Sequence, residues 1–405
     1  MSGVIMPDAH AIDETAPPGA VSLPDRLEKA GALALLAMAA ALQVSIAAAQ
    51  AVLTIAVICW LALLVARRER FEAPGFFWPL VLFAGLTLVS AAFSPQPLAS
   101  LVDSRQLLLL LIVPVTYRLA SGNRGSIGIT VLVTVGAASA AFGIFQYGIL
   151  RYDQLAMRPR GLLGHYMTYS GLLMLVIGAA LARVLFAPRD RLWAALVMPA
   201  LAVAVAVSFT RSAWVGACAA AALVLLLKDF RLIAVLPVVA AIFFATAPAN
   251  ITARFVSMFN LTDPTIRDRV AMFHAGQQMV RDHPLVGVGP EMVGVVYPQY
   301  RASDAVEPVN PHLHNVPMQI AAERGLPALV AWCWFVAAAT IGLAKAYRSG
   351  RHRVLAAAGL AVMAAMLTAG LFEYNFGDSE FLMLFLFLIT LPFAAARSTA
   401  AHPPA

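Results

Sequence analysis

The sequence predicts an all-α polytopic membrane protein, on three observations. Of 405 residues, 61% are hydrophobic and only 12% charged, against roughly 45–50% and 25% in ordinary soluble domains. Apolar runs of about 17–23 residues, the length a helix needs to cross a bilayer, recur along the whole chain. Arginine-bearing segments punctuate these runs and leave no room for a large soluble domain. The composition excludes a secreted enzyme and a nucleic-acid binder. The net charge of +7 is partly the Lys and Arg bias of cytoplasmic loops.

Taken in order, the runs predict about twelve spanning helices: Ala30–Ala48, Ala51–Ala66, Phe76–Phe93, Leu107–Leu119, Ile127–Tyr147, Tyr166–Phe186, Leu192–Phe209, Ala213–Leu227, Leu232–Ala247, Leu326–Ala346, Val354–Phe372 and Phe381–Ala396. An even count puts both termini on one side, and the positive-inside rule makes that side cytoplasmic, because Arg67, Arg68, Arg70, Arg118, Arg124, Arg183, Arg189, Arg191, Lys228, Arg231, Lys345, Arg348, Arg351 and Arg353 collect there. The chain then divides into a cytoplasmic segment (1–29), nine spans (30–247), a long outer loop (248–325), three spans (326–396) and a cytoplasmic tail (397–405). Met1 to Leu27 is polar, carries Asp8, Asp13, Glu14 and Asp25, and lacks the basic start and apolar core of a cleaved signal peptide. Cys59, Cys218 and Cys333 lie inside apolar runs without CxxC spacing and read as packing residues.

The cations left on the outer side carry the information, since they oppose the insertion bias. They are Arg105, Arg151, Arg158, Arg160, Arg211, Arg254, Arg267, Arg269, Arg281, Arg301 and Arg324, with no lysine among them. A guanidinium presents a fixed fork of donors that matches phosphate or carboxylate oxygens, so this surface points to phosphate recognition. The competing reading is arginine-rich codon usage, with these side chains paired to Asp263, Asp268, Asp282 and Glu307.

A loop of this length is either functional or disordered, and this one holds two helix signals. Thr265-Ile266-Arg267-Asp268 resembles a capping box and opens a run that ends at His283-Pro284. On a helical wheel Arg269 falls with Met272, Phe273 and Val280, so its charge needs an anionic partner, from the protein or from a substrate. Pro284-Leu285-Val286-Gly287-Val288-Gly289-Pro290 demands a tight turn and lacks the further glycine of a nucleotide-binding loop. In Asn310-Pro311-His312-Leu313-His314-Asn315-Val316-Pro317, Asn315 is a good N-cap, Pro317 fits the first turn and Gly325 ends the helix. His314 therefore precedes a helix N-terminus, where an anion is favoured, and imidazole exchanges a proton near neutral pH. A metal role for His312 and His314 lacks a third ligand at familiar spacing, and a structural His314 is the remaining alternative.

Ser208-Phe209-Thr210-Arg211-Ser212-Ala213-Trp214-Val215-Gly216, then Arg269 with Phe273, then His283-Pro284-Leu285-Val286-Gly287-Val288-Gly289, then His314-Asn315 through Glu323-Arg324-Gly325 together resemble the O-antigen ligase and polymerase superfamily. The likeness covers roughly Ala200 to Val330 by motif and the whole chain by span count. The late segment Phe372 to Glu380 makes the chain look more like the ligases. The resemblance implies a GT-C-like glycosyltransferase of the bacterial inner membrane, whose loop 248–325 is a periplasmic catalytic loop. Its donor would be an undecaprenyl-pyrophosphate-linked glycan and its acceptor the lipid A core oligosaccharide, with membrane lipid around it and no nucleic acid. It further implies that Arg211 and Arg269 match the family's two essential arginines and His314 its catalytic histidine. Phe273 stands where Trp is common, and His312 is an extra histidine.

Chemistry outside the cytoplasm has no nucleotide sugars, so a donor must arrive on a carrier that already holds its leaving group. Arg211 and Arg269, supported by Arg158, Arg160 and Arg267, are candidates for taking up the charge of a departing pyrophosphate. His314 is either the base for the acceptor hydroxyl or a pyrophosphate ligand, with Glu373 or Asp378 then the base. Asn315 and His312 complete the expected substrate contacts. The segment Arg158 to His165 would bind donor phosphate, acceptor phosphate or anionic head groups. No DxD motif is present, and neither metal nor cofactor is expected. A polysaccharide polymerase remains the near alternative. A transporter is the distant one, since it would put charges mid-span.

Overall fold

The structure, a computed structural model, describes residues 22–302 and 305–400. The expected cytoplasmic segment up to residue 21 and the tail from residue 401 lie outside the described residues. Within them the regular elements are helices. The first half comprises α1 (Leu23–Ala41), α2 (Ile46–Ala66), α3 (Phe77–Ala92), α4 (Pro97–Asp103), a 3-10 stretch (Ser104–Leu111), α5 (Ile112–Leu119), α6 (Arg124–Gly148) and α7 (Tyr166–Phe186). Then come α8 (Arg191–Val207), α9 (Arg211–Lys228), α10 (Val235–Thr246), α11 (Ala249–Val256), α12 (Pro264–Asp282), α13 (Val293–Tyr300), α14 (Val316–Ser349), α15 (Arg353–Ala369) and α16 (Ser379–Ala400).

Among the described residues, seven helical stretches are long and apolar enough to cross a membrane: α2, Pro97–Leu119 as one stretch, α6, α7, α9, α14 and α16. Four more, α3, α8, Phe230–Thr246 and α15, are apolar but shorter. The chain is thus a polytopic, all-helical membrane protein. Large apolar side chains such as Leu33, Ile58, Val65, Leu192 and Val330 face outward from the bundle, the pattern of helices solvated by hydrocarbon. Cys59 is buried, but Cys218 and Cys333 are exposed, so the latter two face the bundle's surroundings rather than pack inside.

Several expected boundaries move. α1 starts at Leu23 because Ser22 accepts from the Asp25 amide at 3.4 Å and Pro24 fits the first turn. It ends at Ala41, and Ser45 caps α2 through the Ala48 amide at 3.4 Å; apolarity runs straight through this turn, so hydropathy does not see it. The fourth span begins at Pro97 rather than Leu107, and its 3-10 stretch lets Asp103, Arg105 and Gln106 enter it without a break in the chain.

α7 and α16 are the most enclosed long helices. α9 meets α15 through small residues: a Cβ on Gly216 would lie 3.0 Å from the Ala365 carbonyl and 3.1 Å from Ala369 Cβ. Such close approach is the usual basis of helix association in lipid. It sets Arg211, the first residue of α9, beside the loop that follows α15.

α14 is broken at Gly325, whose φ is 80°. Pro284 to Glu291 packs onto the break: the Leu326 amide donates to the Pro284 carbonyl (2.8 Å), Val288 N to Ala322 O (2.8 Å) and Gly289 N to Glu323 O (2.8 Å). These bonds take up backbone groups that the broken turn would otherwise leave unpaired. A Cβ on Gly287 would fall 2.3 Å from the Glu323 carbonyl, and its φ is 66°. The loop thereby holds the short first section of α14, which carries the N-terminus next to His314.

Gly350 has a similar φ of 78° with open space around its missing Cβ, which makes it an internal control. Gly350→Ala should cost about 1 kcal/mol of stability in detergent, the strain alone. Gly287→Ala should cost about 3 kcal/mol or more, strain plus overlap. Equal losses on thermal unfolding would show that the loop is not clamped against α14.

Candidate active site

His314 adopts a φ of 47°, strained for a non-glycine residue, and is pinned on both sides. The Leu313 amide donates to Gln319 Oε1 (2.6 Å). Asn315 accepts from the Met318 amide (2.9 Å) as the N-cap and donates through Nδ2 to the Leu371 carbonyl (3.1 Å). The Val316 amide reaches the Gly370 carbonyl at 2.7 Å. The start of α14 is thus sewn to the loop after α15, and His314 Nδ1 meets Glu373 Oε1 at 2.9 Å. Burial pushes the Glu373 carboxyl up, but the hydrogen bond from His314, its charge and that of Arg269 together bring it below the ordinary carboxylate range. An ionised carboxylate only accepts, so Nδ1 carries the proton, and in the neutral imidazole Nε2 is left with a free lone pair.

Arg211, 6% exposed, donates from Nη1 to the Ser257 carbonyl (3.3 Å) and hydroxyl (3.2 Å), and its Nη2 lies 3.6 Å from Asp263 Oδ1 without a hydrogen bond. Arg269 lies half-buried on α12, and its Nε has no partner; neither does the Nε of Arg254 on α11. Burial lowers the Arg254 guanidinium to about 10, and the charges of Arg211, Arg158 and Arg269 push the same way against Asp263. Arg269 is lowered by burial and by Arg211, with Glu373 opposing. Burial and Arg211 likewise lower Arg158. Four guanidiniums therefore share two carboxylates, Asp263 and Glu373, and keep donors in reserve. Such a deficit is a place for an anion.

Asp263 was a partner expected for the outer arginines, and it is one. It also caps α12 through the Thr265 amide (2.9 Å), the role the sequence assigned to Thr265. Asp268 instead accepts from the Glu307 amide (3.1 Å) and Asn310 Nδ2 (3.4 Å). Arg158 stacks 4.2 Å from the centre of the Tyr166 ring. Arg160 is exposed, 5.9 Å from the Tyr152 ring centre, and Arg267 is on the exposed face of α12. The structure brings neither into the chambers described below. His312 sits with its ring centre 6.1 Å from that of His314, its protonation disfavoured by burial and then by His314. Asp378 accepts from the Phe381 amide (2.9 Å) and from the Thr168 hydroxyl, which commits it to the start of α16. Arg254 was legible only as one more outer cation; nothing local in the sequence marks it out.

His314 and Ser212 border two chambers. One, about 480 Å³, holds Arg211 and Arg269 and is otherwise largely apolar, with Phe259, Leu261, Phe273 and Phe372 in its wall. The other, about 1060 Å³, is the more polar of the two, although Leu53, Val57, Ile58 and Phe381 also line it, and it reaches from Glu373 and Asp378 to Asp103, Arg105 and Glu291. Among the described residues no three His, Cys, Asp or Glu side chains converge to hold a metal ion.

Arg211→Lys keeps the charge and loses the fork. It should weaken binding of inorganic pyrophosphate to the protein in detergent about tenfold; unchanged binding would exclude a two-point grip. Because the Glu373 carboxyl is lowered on folding, it releases its proton more readily in the folded chain. Its contribution to stability is complete above the unfolded value of about 4 and fades as pH falls through the lower folded one. The stability gap between wild type and Glu373→Gln should be present from about pH 8 to about pH 5 and close on further acidification, below the unfolded carboxylate value. A gap that widens on acidification would overturn this assignment.

No curated protein matches the chain. Residues 196–333, which include Arg211, Arg254, Arg269 and His314, match the protein-family model described as O-antigen ligase. This segment of the chain is similar to the O-antigen ligase family, which includes both ligases and polymerases.

Proposed function

We propose that the protein is an O-antigen ligase that transfers an undecaprenyl-pyrophosphate-linked glycan to a sugar hydroxyl of the lipid A core on the periplasmic face of the inner membrane. The observation that carries this reading is the surplus of guanidinium donors directly beside the His314–Glu373 pair. The donor's pyrophosphate would lie against Arg211 and Arg269, with Arg254 and Arg158 adding field from behind. The apolar wall of that chamber continues to the surface, where Leu261 is 79% exposed, and suits a polyprenyl chain arriving sideways from the bilayer.

In the proposed step the acceptor hydroxyl oxygen attacks the anomeric carbon from the polar chamber. Its proton passes to His314 Nε2 as the bond from the carbon to the pyrophosphate oxygen breaks. Opposite-face attack inverts the configuration. Glu373 holds the imidazole in the competent tautomer and stabilises its cation, as a carboxylate does for a catalytic histidine. Arginine donors already in place gain strength as charge builds on the leaving oxygen, so they favour the transition state over the bound donor. Arginine thereby fills the role a divalent ion plays elsewhere, and the reaction is proposed to be metal-independent.

A polymerase would use the same donor grip, and the two differ in what occupies the polar chamber. His314→Ala should abolish the lipopolysaccharide ladder in cells while carrier-linked polymer accumulates. The purified wild type should transfer glycan to lipid A core in excess chelator. Single-repeat product in the variant would point to a polymerase, and unchanged glycans with loss of substrate uptake would exclude both enzymes. Activity abolished by chelator and restored by Mg²⁺ would refute metal independence.

A further inference from the structure

The two chambers that meet at His314 differ in which hydrogen-bonding atoms they leave unused. On the arginine side these are donors: Arg211 Nη2 and Arg269 Nε. In the polar chamber three buried wall atoms lack partners, and two of them are acceptors, Glu373 Oε2 and Asn375 Oδ1, the latter on a side chain only 7% exposed, beside one donor, Arg324 Nε. Sugar hydroxyls donate to such atoms, whereas an ionised phosphate has no proton to give.

Charge points the same way. Arg324, also in this wall, is bound through Nη1 to Glu323 Oε2 at 2.6 Å and to the Tyr374 hydroxyl at 3.2 Å, which pairs its charge within the wall. Asp378 is tied to α16, as above. The other charged groups in the wall are Asp103, Glu291 and Glu373 against Arg105, with His165, His312 and His314 beside them. Glu291 is fixed on a left-handed backbone (φ 62°) by its amide's bond to Glu323 Oε1 (2.9 Å). Burial and then Asp103 raise its carboxyl above the ordinary range, as expected of carboxylates that share a space without enough cations.

We propose that this chamber selects an acceptor whose reacting sugar carries free hydroxyls and no phosphate, so that the two substrates are sorted by charge on either side of one histidine. The proposal rests on the glycan-transfer reading. It specifies the chemistry of the acceptor end: Asn375 and Glu373 receive its hydroxyls, and Asp103 and Glu291 exclude anions. Exclusion also prevents the donor's pyrophosphate from lodging on the wrong side of His314. Specificity of this kind comes from an unfavourable contact with the wrong ligand as much as from favourable ones with the right one.

The test measures binding, so it does not require turnover. Full-length protein in nanodiscs, with the arginine chamber filled by saturating undecaprenyl pyrophosphate, is titrated with two lipid-anchored oligosaccharides. These are identical except for a phosphate monoester on the terminal sugar. The phosphorylated form should bind at least about tenfold more weakly, and Asp103→Asn/Glu291→Gln should shrink that ratio severalfold. The single isosteric variants serve if the double one does not fold. Equal or tighter binding of the phosphorylated form to the wild type, or an unchanged ratio in the variants, would overturn the proposal. Failure of the ligase reading would instead show as single-repeat glycans in the His314→Ala cells and would leave this ratio unaffected.

Discussion

Unneutralised guanidinium charge at the end of a lipid-facing bundle is the constraint on which the rest of this structure depends. Arg158, Arg211, Arg254 and Arg269 repel one another, and each loses hydration by being partly enclosed. A protein keeps such a group only if the fold restrains it and something compensates it. The restraint comes from Ser257, from Asp263 and from the backbone of α9 and α12. The compensation left over is what a substrate supplies. The site is therefore under tension before anything binds, the condition in which fixed dipoles and charges act most strongly on a developing anion.

The same arrangement explains the unusual backbone around the site. Phe209, Glu291 and His314 all have positive φ without being glycine, and they precede α9, precede α13 or begin α14. Each lies where a helix must start at a set position relative to another segment. The break at Gly325 and the loop Pro284 to Glu291 are two halves of one device: the loop satisfies the broken turn, and the break frees a short helix to carry His314 toward Glu373. Strain at His314 is held by bonds from Leu313, Asn315 and Val316. Local strain balanced by surrounding bonds is characteristic of functional positions.

A single imidazole, that of His314, borders both chambers. In the proposed reaction phosphate lies on the arginine side and the acceptor hydroxyl on the other, and the proton passes where they meet. Glu373 lines the polar chamber and orients His314 through one oxygen, while its other oxygen is buried without a partner.

Much of this could be read from the residues alone. The membrane-spanning character follows from composition. Asn315 as a cap, Pro317 in the first turn and Gly325 as the break follow from local backbone preferences that need no tertiary context. The proximity of Arg269 to an anion follows from helical phase. The turn at Leu42–Ser45 and the start of the span at Pro97 were hidden because hydropathy averages over apolar residues whatever their backbone does. Glu373 meets His314 across 59 residues, Arg254 reaches the other arginines from a separate helix, and Asp378 is absorbed by α16. Only the tertiary structure decides such partnerships, because an ion pair or a shared chamber depends on distance in space, and in a helical bundle that distance is set by close packing between helices such as α9 and α15 rather than by spacing along the chain.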